Sequence, residues 1–461
     1  MISTPNKLRS VVQDTLALAV TSQYVSLPSN GKPRPRTNGS PQWTVLAGFC
    51  LYRSNRDAVE AKCISIGTGL KALPHSKLPI HGDVLHDSHA EIVARRGLKV
   101  WLYKQVELAI KSDETSMLER KSDESWGLKE GWKIGLWIST LPCGDASTYS
   151  LSLVSPSVIP SPPTLPLPAE NDNRNVELHP SLIEASALGL QTSRRSLQPT
   201  PSSSSFSSTS PLVHRGRISY TSLSTLRTKP GRADSPPTTS HSCSDKVALW
   251  SLLGLQGGLL SQFGVHVELS CVAVSGAEKE RDKVRGEIRR AVGGRLEDWE
   301  GPSGARVSVP DVGLAQLDFE HARNVVARKY GVKEEGVVSC QESLSWIDGL
   351  GIEVITNGTR QGASPKRKVG EPLGAKSRSR LSKLSLFQLH LGTQESLSPS
   401  SAPSAYFGAK HTTAASKLGK KYQELKQNVR EGPFKGWLIS GEKWESFDGG
   451  GRVIGSGDKS A

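Results

Sequence analysis

The stretch HAEIVARRGLKVWLYKQVELAIK, residues 89–111, decides the fold. Val93, Gly97, Val100, Tyr103, Val106 and Ile110 follow one another in steps of three and four, which marks one face of a helix. Upstream, WTVLAGFCLY (43–52) and KCISIGTG (62–69) are β-rich runs bounded by turn residues. Downstream, KIGLWIST (133–140) alternates Ile134, Leu136 and Ile138 as a half-buried strand does. Strands on either side of a long amphipathic helix predict an α/β layered domain. Farther along, CSDKVALWSLLGLQGGLL opens a second helix and VHVELSCVAV reads as another strand. A charged helix (EKERDKVRGEIRRAV), the strand pair SLSWID and IEVITNGT, a basic stretch at 364–383 and two more helical patterns follow. No internal repeat is visible.

Composition narrows the class. The 461 residues suffice for one large domain or two to three ordinary ones, yet only 36% are hydrophobic. That shortfall points to a folded portion diluted by a disordered segment. Residues 156–240 supply it, with runs such as PTPSSSSFSSTS that cannot bury a core. They read as a disordered insertion within one domain spanning 1–461, because parts of one site lie on both sides of them. Lys plus Arg outnumber Asp plus Glu by 58 to 44, a net charge of +14 that favours a polyanionic partner, nucleic acid first. The first twenty residues carry Asp14 within their apolar stretch and read as a short amphipathic helix, not as a signal peptide or a membrane span. The expected compartment is therefore cytoplasm or nucleus, where six scattered cysteines stay reduced and free to bind metal.

Three short islands carry chemistry: His89-Ala90-Glu91, Pro142-Cys143-Gly144-Asp145 and Ser242-Cys243-Ser244-Asp245-Lys246. A catalytic zinc takes three protein ligands and keeps one position open for water. His89 and Cys143 supply two, and the His-x-Glu spacing at a helix start leaves Glu91 to face the water as general acid/base. His-x-Glu followed by Pro-Cys-x-x-Cys is the known signature of nucleobase deaminases, but here Ala146 stands where the second cysteine belongs. Cys243 is the best remaining ligand, since it too begins a predicted helix whose dipole favours thiolate. His-Ala-Glu alone is weak evidence; on a helix and followed by a strand and Pro-Cys-Gly it is much stronger. Cys50, Cys63, Cys271 and Cys340 lie in strand-like apolar contexts and read as core.

With those islands in place, the chain resembles the RNA adenosine deaminases, a family that includes transfer-RNA-specific and double-stranded-RNA editing enzymes. DSHAEIVARRGL, LPCGDAS, LRTKPGRADSPP, SCSDKVALWSLLGLQGGLLS, IEVITNGTRQG, SRLSK and KKYQELK with the later Trp437 carry the resemblance. It implies a cytidine-deaminase-like mixed-sheet α/β core with a C-terminal helical extension, and it makes the Cys of SCSDK the third zinc ligand. It also implies a buried inositol hexakisphosphate (phytate), held by Arg95, Arg96, Lys246, Trp250, Lys383, Lys417, Tyr422, Lys426 and Trp437. Leu249 departs from the pattern, standing where the family has Arg. Asp87, Lys229 and Lys246 match a relay from the phytate pocket toward the zinc. The implied substrate is tRNA, at position 37 beside the anticodon, with no membrane and no obligate protein partner. Duplex-RNA editing is the alternative, but separate duplex-binding domains would accompany it and too few residues precede Trp43 to form one. A free-nucleoside deaminase would explain neither the charge nor the long C-terminal half. A catalytically silent zinc or RNA-binding protein is the third alternative, and Glu91 argues against it.

Overall fold

The computed structural model describes residues 4–55, 58–149, 213–216, 222–229, 231, 235–276, 280–297, 299–301, 309–397, 405–411 and 417–454. At the centre stands an eight-stranded mixed sheet. Its order is Asp311–Leu314, Leu269–Val274, Lys133–Ile138, Leu46–Ser54, Val59–Thr68, Glu342–Ile347, Gly351–Thr356, Thr359–Arg360. The first three strands are mutually parallel and every later neighbour is antiparallel. The strands read from the sequence are there, whereas Asp311–Leu314 gave too short an apolar run to be seen.

Each face of the sheet is covered by a helix. Ala90–Ile110 lies on one, with Val93, Leu98, Leu102 and Val106 buried against Phe49, Ile64 and Ile347. Thr4–Ser26 lies on the other, where Leu16, Ala17, Val20 and Tyr24 meet Leu46, Ile66 and Trp137. Glycines let both helices approach: a Cβ on Gly67 would fall 2.4 Å from the Ala90 carbonyl oxygen, and one on Gly48 2.6 Å from Val20. The N-terminal helix is thus longer than expected and completes the core. Asp14, at odds with its apolar neighbours, accepts the Gln316 amide at 2.7 Å. No described helix is long and apolar enough to cross a membrane.

The Ser/Pro-rich segment ends sooner than its composition suggested. Residues 150–212 lie outside the described residues, but Val213–Arg215 and Leu226–Thr228 form a parallel strand pair, and Arg227 and Lys229 are buried. The averaged composition of 156–240 hid these strands because Ser and Pro flank them closely on both sides. Of the C-terminal helices, Lys383–Leu397 packs against Ala90–Ile110, Tyr406–His411 against the short helix Gly257–Leu260, and Lys417–Glu431 against Cys243–Leu253 and the turn Ser261–Phe263. As expected, all six cysteines are unpaired and Cys50, Cys63, Cys271 and Cys340 are buried.

Candidate active site

The three islands converge. His89 stands at the position just before the helix that begins at Ala90, and Glu91 in its first turn is buried at 3% exposure. Cys143 follows the strand Lys133–Ile138, and Cys243 opens the helix Cys243–Leu253, which Ser242 caps by accepting the Asp245 amide. The Cys243 amide donates to the Cys143 sulfur at 3.3 Å. Ser244 binds the two loops together, its amide donating to the Cys143 carbonyl at 3.0 Å and its hydroxyl to the same oxygen at 2.9 Å. Gly144 is required here: at φ 103° it lies so close that a Cβ would meet the Ser242 hydroxyl at 2.2 Å. Ala146, where the signature's second cysteine would stand, donates its amide to the Ser244 hydroxyl at 3.1 Å.

The electrostatics separate the two sulfurs. Contact with Cys243 holds the Cys143 thiol well below its usual range against the opposing effect of burial, with Lys229 and His89 helping. Burial and Cys143 push Cys243 well up. Burial raises Glu91 too, with Cys143 adding to it, so this carboxyl holds a proton more readily than one in water. Among the described residues no group of three His, Cys, Asp or Glu stands in ready metal-holding geometry. The donor types themselves fit zinc: the His89 imidazole beside the Cys143 sulfur, which in turn meets Cys243, with the far imidazole nitrogen already taken.

That nitrogen, His89 Nδ1, lies 2.9 Å from Asp87 Oδ1, which fixes the ring so that Nε2 is left for a metal. Burial and Lys229 push the imidazole down, but Asp87 and Cys143 outweigh them and raise it to about 9. The other Asp87 oxygen is shared by Lys229 at 2.8 Å, Lys246 at 2.6 Å and the Ser240 hydroxyl at 2.6 Å. Those two ammoniums overcome the burial of Asp87 and hold it well below the usual carboxylate range. The expected relay of Asp87, Lys229 and Lys246 is therefore one contiguous network.

Lys246 leads from this network into a cavity of about 270 Å³. Arg95, Arg96, Lys99, Lys246, Lys383, Lys410 and Arg430 all line it, and Trp250 and Trp437 form part of its wall. Glu445 answers part of the charge, at 2.8 Å from Lys383, 2.6 Å from Lys410 and 2.6 Å from His411. Asp87 answers Lys246, and among the described residues no carboxylate forms an ion pair with Arg95, Arg96, Lys99 or Arg430. Burial lowers Lys383 to about 8 despite Glu445, and burial with Arg430 and Lys410 lowers Lys426 to about 7. Arg95, stacked 4.8 Å over Trp250, leaves its buried Nε without a partner.

Residues 65–440 match the family model of the adenosine-deaminase (editase) domain, most of the chain. The chain belongs to the editase family. Among its relatives, tRNA-specific adenosine deaminase 1 of Mus musculus is 29% identical, over 94% of this chain and 99% of that protein. The Saccharomyces cerevisiae protein of that name is 31% identical over 51% of each chain. Double-stranded RNA-specific editase Adar of Drosophila melanogaster is 29% identical over 64% of this chain and 37% of its own.

In this editase chain most of the residues expected at the phosphate pocket come together, but not all. Arg95, Arg96, Lys246, Trp250, Lys383 and Trp437 line the cavity. Lys426 lies one step behind it, donating to the Lys410 carbonyl at 3.2 Å, and Tyr422 packs beside Trp437. Lys417 does not belong there: it is exposed in the first turn of its helix, and Lys410 lines the cavity instead. Leu249 occupies the wall as an apolar residue. Lys99, Lys410, Arg430 and Glu445 were missed. Lys99 falls four residues after Arg95, and Arg430 four after Lys426, a helical spacing that could have found both. Nothing in the sequence around Lys410 or Glu445 signals the pocket.

Proposed function

We propose that this editase chain is a zinc-dependent tRNA adenosine deaminase, forming inosine at position 37 beside the anticodon. The observation that carries the chemistry is Glu91, buried and raised, two residues from His89 and close to Cys143 and Cys243. His89, Cys143 and Cys243 would hold the zinc, which when bound supplies Lewis-acid activation of water. Glu91 accepts a proton as water adds to C6 of adenine and delivers it to N1. It then takes the proton of the new C6 hydroxyl and passes it to the departing amine, so that the C6–N bond breaks, ammonia leaves and the C6 oxygen remains as a carbonyl. Asp87 keeps the His89 ring in one tautomer and orientation throughout.

The cavity behind the centre suits inositol hexakisphosphate. Six phosphates need many cations to offset their desolvation, and seven Lys and Arg side chains line it with few carboxylates in reply. Bound phosphate would restore full charge to Lys383 and Lys426. A reducing compartment, cytosol or nucleus, suits six unpaired cysteines.

The tRNA assignment draws on the full-length likeness to tRNA-specific adenosine deaminase 1 and on the net charge of +14. Adenine must leave its stack to reach a buried centre, and an anticodon loop lowers that cost relative to a duplex. Inosine formation on total tRNA, a perfect RNA duplex and free adenosine, compared in one buffer, tests it. Turnover should be largest on tRNA and should fall steeply with salt. Preference for the duplex would favour the editing reading, which the likeness to the Drosophila editase supports; preference for free adenosine would overturn the RNA assignment.

The Ser/Pro-rich insertion, read as part of a single deaminase domain, should be dispensable for the chemistry. Loop closure costs only about 0.6 kcal/mol per doubling of length. Replacing residues 156–210 by a short Gly/Ser linker, which spares the strand at Val213, should yield soluble protein with unchanged kcat on tRNA. Insoluble or metal-free protein would contradict this.

A further inference from the structure

Cys143 and Cys243 are each followed two residues later by an aspartate, and both carboxylates, Asp145 and Asp245, are fully buried at 0% exposure. Two arginines at the end of the helix Arg281–Gly293 and in the turn after it meet them. Arg290 reaches Asp145 Oδ2 at 2.6 Å and the Asp145 carbonyl at 3.2 Å. Arg295 lies 3.0 Å from Asp245 Oδ1 and 4.0 Å from Asp145 Oδ2. Its guanidinium nitrogens, 5% exposed with the rest of the side chain, have no hydrogen-bond partner among the described residues. Arg290 therefore acts by directed hydrogen bonds and Arg295 by charge placed between two carboxylates.

The same aspartates hold the chain that returns from the insertion. The Ser224 amide donates to both Asp145 oxygens at 3.1 Å, and the Arg227 amide to Asp245 Oδ2 at 2.9 Å. Two residues beyond Arg227 comes Lys229, bound to Asp87. One buried cluster thus fixes the Cys143 loop, the start of the Cys243 helix and the segment that delivers Lys229.

We propose that Arg290 and Arg295 are positioning residues that set the spacing of the two sulfur ligands and the placement of Lys229 beside Asp87. The inference rests on reading this centre as a zinc site. Removing either arginine leaves a buried carboxylate uncompensated and lets two segments separate, which loosens the donor set. Lysine retains the charge but not the two-pronged geometry, so it should replace Arg295 and not Arg290.

Arg290→Met, Arg290→Lys, Arg295→Met and Arg295→Lys in the full chain test this, read by zinc content, by zinc release to a chromogenic chelator and by kcat and KM on tRNA. Both Met variants and Arg290→Lys should release zinc about 10–100-fold faster, with kcat reduced and KM little changed. Arg295→Lys should stay near wild type. Circular dichroism identifies a variant that does not fold; the Lys variants, which retain charge, then carry the comparison. Wild-type zinc release and kcat in Arg290→Lys, or equal loss in both Lys variants, overturns the proposal. A wild-type protein that binds no zinc overturns the zinc reading itself and this inference with it.

Discussion

Glu91→Ala should abolish deamination while protein-bound zinc stays near one per chain. Glu91 is the buried carboxyl that follows His89 by two residues, and its side chain forms no ion pair among the described residues. A general acid/base of this kind contributes on the order of 10²–10⁴ in rate. Here one group must serve both proton transfers, so the loss should sit at the upper end of that range and appear in kcat, with tRNA affinity little altered. Glu91→Gln, which preserves shape, should be nearly as inactive, which separates proton transfer from packing. Inosine assays paired with metal analysis decide the matter. Substantial activity in either variant contradicts the catalytic role, and loss of zinc in Glu91→Gln would make Glu91 part of the metal's support.

The centre was legible because its chemistry is local in sequence. His89 and Glu91 are two residues apart on a helix whose stripe is unmistakable, and Cys143 follows an alternating strand. What holds these residues is not local. Asp145 and Asp245 stand inside the quoted islands, yet their roles depend on Arg290, 145 residues beyond Asp145, and on Arg295. The Asp87–Lys229 contact spans 142 residues and ends in a segment whose composition argues against structure. Lys417 was misplaced for a related reason. Spacing along the chain cannot reveal that the preceding helix, Tyr406–His411, brings Lys410 to the cavity first. Helical periodicity, by contrast, is fixed by neighbours three and four residues away, and the elements it predicts are those the structure contains.

Cys243→Ala should lose zinc and activity together, whereas Cys271→Ala should lose neither. Both cysteines are buried, at 0% and 1% exposure, so burial does not separate them. Their surroundings do. Cys271 lies mid-strand in Leu269–Val274 and packs in the apolar cluster beneath the N-terminal helix, with Leu16 and Trp137. Burial raises its thiol as it raises that of Cys243, so the neighbours and not the thiol's acidity separate the two. Truncation there removes one sulfur from a packed core, a cost of about 1 kcal/mol that shows as a small fall in Tm. Cys243 instead begins a helix, donates its amide to the Cys143 sulfur 100 residues earlier and completes the proposed His/Cys/Cys donor set. Without it only His89 and Cys143 remain as ligands, too few for a catalytic zinc, which takes three. The strand neighbours of Cys143 should keep their fold, so the variant should be soluble, zinc-poor and inactive on tRNA. Metal content and inosine yield measured side by side on the two variants give the answer: full zinc occupancy in Cys243→Ala would remove Cys243 from the ligand set, and zinc loss in Cys271→Ala would contradict the core role of Cys271.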